Sequence, residues 1–215
     1  MKNIIMQAVQ GAGKGTIAKM LSEKYGYVHI STGELLRERR KTADEIGKII
    51  AESQDTGVLV PEEIVLQVFE ERLTKPDCIN YILDGFPRNI NQAIKCDEIL
   101  TRIKKADYIV VNLTIPAEVI IERLVNRVSC EKCGFIYSLV FEDLKPKKDN
   151  ICDRCNIELI KRNDDSDEEV IKQRIQLYHD NASTLINYYQ EKGVLMNFDA
   201  TKTKDAFNEI EKVIK

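Results

Sequence analysis

Gly11-Ala12-Gly13-Lys14-Gly15-Thr16 stands near the start of the chain, after an apolar run at 3–9 and before an amphipathic stretch at 17–25. Successive backbone N–H groups of such a turn can converge on an anion at a helix N-terminus, while a lysine reaches the outer phosphates. The segment reads as a phosphate-binding loop, but the full Gly-x4-Gly-Lys-[Ser/Thr] pattern is not met. Ala8 takes the first glycine position, and Gly15 displaces the hydroxyl to Thr16. In Ile82-Leu83-Asp84-Gly85-Phe86-Pro87-Arg88, Asp84 closes an apolar run, where ligands of an open α/β sheet collect and where a carboxylate could hold Mg2+ through water. Arg37, Arg88, Arg123, Arg127, Arg162 and Arg174 supply planar, permanently charged groups suited to gathering several phosphates. A helix over 117–127 would set Arg123 and Arg127 on one face, four residues apart. His29 and His179 are expected to serve packing.

Cys130-Glu-Lys-Cys133 and Cys152-Asp-Arg-Cys155, separated by 18 residues, have the spacing of two knuckles that together give a tetrahedral thiolate site. With all four positions filled by protein, Zn2+ there would be structural, not catalytic. A disulfide or redox pair and free thiols are the alternatives. Cys78 and Cys96 read as core or helix-surface residues.

Apolar β-type runs at 3–9, 27–30, 79–83, 108–113 and 194–198 alternate with helical patterns at 61–73, 89–103, 117–127, 168–191 and 204–214. That alternation predicts an α/β fold with a central, mostly parallel sheet covered on both faces. Two segments depart from it: 31–60, a helical insert, and 128–163, a turn-rich cysteine knuckle. The chain has 215 residues, 43% hydrophobic and 31% charged, enough for one core with inserts. Its net charge of −3 offers no global field for a nucleic-acid backbone. No apolar run approaches a membrane span, and the opening residues lack a signal-peptide pattern. A cytoplasmic protein is expected.

Taken together, these residues resemble the adenylate kinases of the long, zinc-bearing bacterial type, from the first apolar run to the last helical pattern. The resemblance implies a P-loop three-layer fold. Its core would be 1–30, 61–127 and 164–215, with a nucleoside monophosphate insert at 31–60 and a zinc-binding lid at 128–163. It implies reversible phosphoryl transfer from MgATP to AMP, giving two ADP, with Mg2+, a structural Zn2+ and a monomer. Lys14, Asp84, Arg88, Arg123, Arg162 and Arg174 would be catalytic. ATP would meet Gly11, Ala12, Gly13, Lys14, Gly15, Thr16, Arg123, Arg127, Ile136, Tyr137 and Lys202. AMP would meet Thr32, Arg37, Val58, Leu59, Val60, Gly85, Phe86, Pro87, Arg88, Gln92, Arg162 and Arg174. Cys130, Cys133, Cys152 and Cys155 would hold the zinc.

The chain departs from the family form at Ala8-Val9-Gln10, where Gly-x-Pro is usual, at Val128, where a basic residue is common, and at Ala200. One residue is inserted between Asp165 and Arg174. If Ala8 replaces a glycine that needed positive φ, a penalty of roughly 1 to 2 kcal/mol is expected to weaken ATP binding. Three rivals follow: a UMP or CMP kinase, a nucleotide binder with impaired catalysis, and a zinc ribbon that binds nucleic acid. The last draws on Phe135, Tyr137 and Phe141 with Lys145, Lys147 and Lys148.

Overall fold

The computed structural model describes residues 1–56, 58–161 and 168–214. Arg162, Asp164, Asp165 and Asp167 lie outside the described residues, as do the side chains of Arg174 and His179. Strand β1 (Asn3–Gln7) is buried at every position and leads through the glycine turn into α1 (Lys14–Tyr25). Next come β2 (Val28–Ser31), α2 (Thr32–Arg39), α3 (Glu45–Thr56), α4 (Glu62–Leu73), β3 (Tyr81–Asp84), α5 (Ile90–Arg102), β4 (Tyr108–Thr114) and α6 (Ala117–Val125). The lid strands are β5 (Arg127–Ser129), β6 (Ile136–Ser138) and β7 (Ile160–Lys161), and α7 (Glu168–Glu191), β8 (Leu195–Asp199) and α8 (Thr203–Val213) complete the chain.

The main sheet is parallel, with five strands in the order β2-β3-β1-β4-β8. Its central strands β1, β3 and β4 are apolar runs because both of their faces are covered. On one face Ile4, Met6 and Val111 pack with Ile17 and Leu21 of α1, Leu124 of α6 and Phe207 of α8. On the other, Ile5, Leu83 and Val110 pack with Phe69 of α4, Cys96 of α5 and Leu185 of α7. Cys78 and Cys96 are both core residues. From central β1 the chain passes to edge strand β2 and back to β3 on one side, then crosses to β4 and β8 on the other, so a crevice opens at the carboxyl ends of these strands. The phosphate loop follows β1, and Asp84 ends β3 in register with Met6 and Ser31.

One boundary differs from the sequence expectation in a way that matters. The helix predicted over 117–127 stops at Val125, with Asn126 as its C-cap, and Arg127 opens β5. Arg127, Val128 and Ser129 pair antiparallel with Ser138, Tyr137 and Ile136, and Val128 and Ser129 also pair with β7. Arg123 and Arg127 therefore do not share a helix face. Val128, at a usually basic position, points into the small lid core with Tyr137 and Leu159, where an unpaired charge would be costly.

Candidate functional site

Gly11 and Gly13 have φ of 92° and 93°, which turns the loop back on itself before α1. A side chain at Gly11 would meet Leu124 of α6 at 3.0 Å, so glycine is required there by space as well as by φ. Ala8 and Gln10 are not among the residues with positive φ. Without positive φ, Ala8 carries none of the strain expected from its replacing glycine, and its side chain packs in the sheet core. The strand ends at Gln7 because the next two carbonyls turn to the lysine: Lys14 Nζ donates to Ala8 O at 2.6 Å and to Val9 O at 3.0 Å.

Lys14 is half-buried, and burial pulls its pKa down to about 8; Asp84 opposes this, while Arg88 and Arg127 reinforce it. Those influences put Lys14, Asp84, Arg88 and Arg127 in one electrostatic neighbourhood. Burial pushes the Asp84 carboxyl up, but His29, Lys14 and Arg88 together hold it below the usual carboxylate range. His29 Nε2 lies 3.1 Å from Asp84 Oδ2. An ionised carboxylate only accepts, so this nitrogen carries the proton. His29 is thus not merely a packing residue: it holds the acid at the mouth of the crevice. Its partner is 55 residues away in sequence, and only the pairing of β2 with β3 brings them together.

Thr32 opens α2 and donates from Oγ1 to Asp84 O at 3.1 Å. Gly85 (φ 78°) then turns the chain away from β3; a β-carbon there would lie 3.3 Å from Thr32 Oγ1. Phe86 is buried against Phe69, with ring centroids 4.3 Å apart, and the Phe86–Pro87 peptide is cis. Gln7 Nε2 donates to Pro87 O at 2.9 Å. Arg88 is exposed; its Nε donates to Gly85 O at 2.8 Å, and its amide donates to Gln92 Oε1 at 2.8 Å. Arg37 is exposed beside Gly33, and Val58 and Leu59 stand at the rim of the insert, 65% and 81% exposed.

Arg123 is buried, and its Nη2 donates to Thr201 O at 2.8 Å. A β-carbon at Gly13 would lie 3.9 Å from its Nη1, and its guanidinium carbon is 5.3 Å from the Phe141 ring. Arg127 is likewise buried, at the start of β5. A β-carbon at Gly15 would meet Asp84 Oδ2 at 3.6 Å and Ile136 Cδ1 at 3.7 Å, so the lid strand reaches the loop. Lys202 caps α8 and lines an open cleft of about 540 Å³ with Thr201, Asp199 and Asp205. The Tyr137 side chain is buried in the lid, and its hydroxyl accepts from the Asp153 amide at 3.0 Å.

The cysteine segment consists of one turn used twice. Cys130 N donates to Phe135 O and Gly134 N to Cys130 O; Cys152 N donates to Ile157 O and Asn156 N to Cys152 O. Gly134 and Asn156, each following the second cysteine of its pair, have φ of 61° and 55°. The four thiols lie within 4.8 Å of one another, and Cys133 Sγ is 3.8 Å from Cys152 Sγ. Thiolates about 2.3 Å from a tetrahedral ion are about 3.8 Å apart, so the donor set fits one. Phe135 and Tyr137 pack on each other, with Arg154 3.9 Å over the Phe135 ring. Of the aromatics that suggested a nucleic-acid ribbon, Phe135 and Tyr137 are thus engaged within the knuckle, and Phe141 lies against Arg123 of α6.

The family model of adenylate kinase matches residues 6–194. The chain belongs to the adenylate kinase family. It is 44% identical over 214 residues to the adenylate kinase of Archaeoglobus fulgidus, covering 99% of this chain and 97% of that protein. It is 44% identical over 194 residues to that of Acetivibrio thermocellus, with 90% and 88% covered, and 42% over 201 residues to that of Methanosarcina mazei, with 93% and 92% covered. As an adenylate kinase family member, the chain keeps its phosphate loop, Asp84 and Arg88 within the matched span, and the four-cysteine cluster is compatible with a zinc-bearing lid.

Proposed function

We propose that the chain transfers the terminal phosphoryl group of MgATP to AMP, reversibly, giving two ADP. The observation that carries this reading is the convergence of Lys14, Asp84, Arg88, Arg123 and Arg127 on the glycine loop. The acceptor oxygen on AMP is already ionised at neutral pH, so the reaction needs positioning and charge stabilisation, not a general base. That fits a site rich in cations, whose one described histidine is engaged by Asp84.

In this reading the amides of Gly11 to Thr16 and the Lys14 ammonium hold the ATP phosphates. Lys14 is held by loop carbonyls and exchanges them for phosphate oxygens. Arg123 and Arg127, the Ile136 side chain, the Tyr137 backbone and Lys202 complete the ATP side. Arg37 and Arg88 hold the AMP phosphate, while Thr32, 58–60, 85–87 and Gln92 frame the rest of AMP. Gln92 accepts the Arg88 amide, which ties the base-reading side chain to the phosphate-binding one. Arg123, Arg162 and Arg174 receive the migrating group. Asp84, held charged, would bind Mg2+ through water, and the ion would draw charge from the phosphate oxygens. Cys130, Cys133, Cys152 and Cys155 would bind structural Zn2+. The insert at 31–60 and the lid at 128–163 close on the core at 1–30, 61–127 and 164–215, which keeps water from competing as acceptor. None of the six cysteines is joined in a disulfide, which suits a cytoplasmic setting. Among the described residues no helix is long and apolar enough to cross a membrane.

The purified protein should form ADP from MgATP and AMP, and Arg88→Ala should lower turnover by about two orders of magnitude or more, as loss of a charge-stabilising donor does. No ADP from the parent, or unchanged turnover in the variant, overturns the proposal.

A further inference from the structure

Gly15, Lys19 and Glu23 are four residues apart along α1 and so form one stripe on its surface. Each meets the lid. Gly15 faces Ile136. Lys19 Nζ donates to Cys133 O at 3.0 Å. Glu23 pairs with Arg154, Nη2 to Oε2 at 3.2 Å, and that guanidinium is stacked on the Phe135 ring. The stripe therefore runs from the phosphate loop to both cysteine knuckles, touching the first through Lys19 and the second through Glu23. A β-carbon at Gly134 would be 2.8 Å from Lys19 Nζ and 3.6 Å from Glu34 Oε1 of α2, so the first knuckle lies close against α1 and a side chain there would displace the tip of Lys19.

We propose that Lys19, Glu23 and Arg154 are positioning residues for ATP: they seat the lid along α1, so that Ile136, Arg127 and the β6 backbone stand over the phosphate loop. This rests on the reading of the loop as the ATP site. None of the three needs to touch nucleotide. Their contacts are polar and partly exposed, with side-chain exposures of 37% for Arg154 and 54% for Glu23. Such contacts are individually weak and sensitive to salt, which suits a lid that must close and reopen in every cycle. An apolar seam would hold it shut.

The test is a charge-reversal cycle on the full-length, metal-loaded protein: Glu23→Arg, Arg154→Glu and the double variant, with Lys19→Met as an independent arm. The readouts are KM for ATP, KM for AMP, kcat, the Kd of a non-hydrolysable ATP analogue, and bound metal. Each single variant should raise KM for ATP and the analogue Kd by about three- to tenfold, with KM for AMP within about twofold. The double reversal should regain most of the loss, and the parent's ATP affinity should fall with added salt more steeply than that of Lys19→Met. Rescue by reversal separates seating from general damage. If Arg154→Glu loses metal, Lys19→Met and Glu23→Gln decide the matter alone. ATP affinity unchanged in those two, or a double variant as weak as the worse single, overturns the proposal. A parent that forms no ADP defeats the functional reading instead, while the analogue cycle still measures the seam.

Discussion

The phosphate loop and the cysteine knuckle both hold backbone groups in tight, positive-φ turns, but by opposite means. The loop is backed by the main core: Ala8, Val9, Ala12 and Ile17 are all 6% exposed or less and pack with β4, α6 and α8. The knuckle has a cluster of five buried residues, Val128, Cys130, Tyr137, Cys152 and Leu159, two of which are metal-ligand candidates. So small an apolar set cannot by itself order some 30 residues, whereas four thiolates on one ion can. The difference separates chemistry from closure. In the proposed reading Lys14 and Asp84 handle phosphate from core elements, while the lid would take its shape from a local cross-link through a bound ion.

The comparison breaks most visibly if metal is removed. One Zn2+ per chain should be recovered, and chelation should lower the melting transition of the lid by at least about 5 °C, what about 1 kcal/mol is worth in a small unit. The main transition and the initial activity at moderate temperature should survive. Metal analysis without zinc, or loss of activity on chelation before any unfolding, contradicts the division of labour.

A smaller effect sharpens the loop side. The Lys14 pKa is lowered to about 8 by burial, below its ordinary value. Between about pH 8 and 10 the unfolded chain keeps a proton that the folded chain has released, so Lys14 makes stability rise with pH over that window. ATP binding runs the other way. It favours the ammonium, so affinity should fall by up to about tenfold per pH unit above 8 and binding should take up a proton. Calorimetry in two buffers of different ionisation heat reads that proton. An affinity flat from pH 7 to 10, or the same slope in Lys14→Met, counts against the assignment.

The smallest effect is expected at Ala8 and Gln10. Because neither has positive φ, Ala8→Gly with Gln10→Pro should change KM for ATP by less than about twofold. A gain of tenfold or more would mean that the loop is strained after all.

What could be read from sequence follows the same division. The parallel sheet was legible because its central strands are covered on both faces and show as apolar runs. The metal cluster was legible because Cys-x-x-Cys spacing is local. Two features were not, because distant partners decide them. The apolar pattern of α6 continues through Val128, and only pairing with residues 136–138 breaks the helix before Arg127. His29 looked like a packing residue because Asp84 reaches it only across two paired strands. The stripe on α1 is likewise decided by distant partners, since Lys19 and Glu23 meet Cys133 and Arg154 only where the lid lies against the helix.

The central claim is tested most directly by ADP formation from MgATP with AMP, CMP, UMP and GMP offered in turn at equal concentration. The proposed function predicts that AMP is the preferred acceptor, because Thr32, 58–60 and Gln92 would frame its site. Equal rates with CMP or UMP would contradict it.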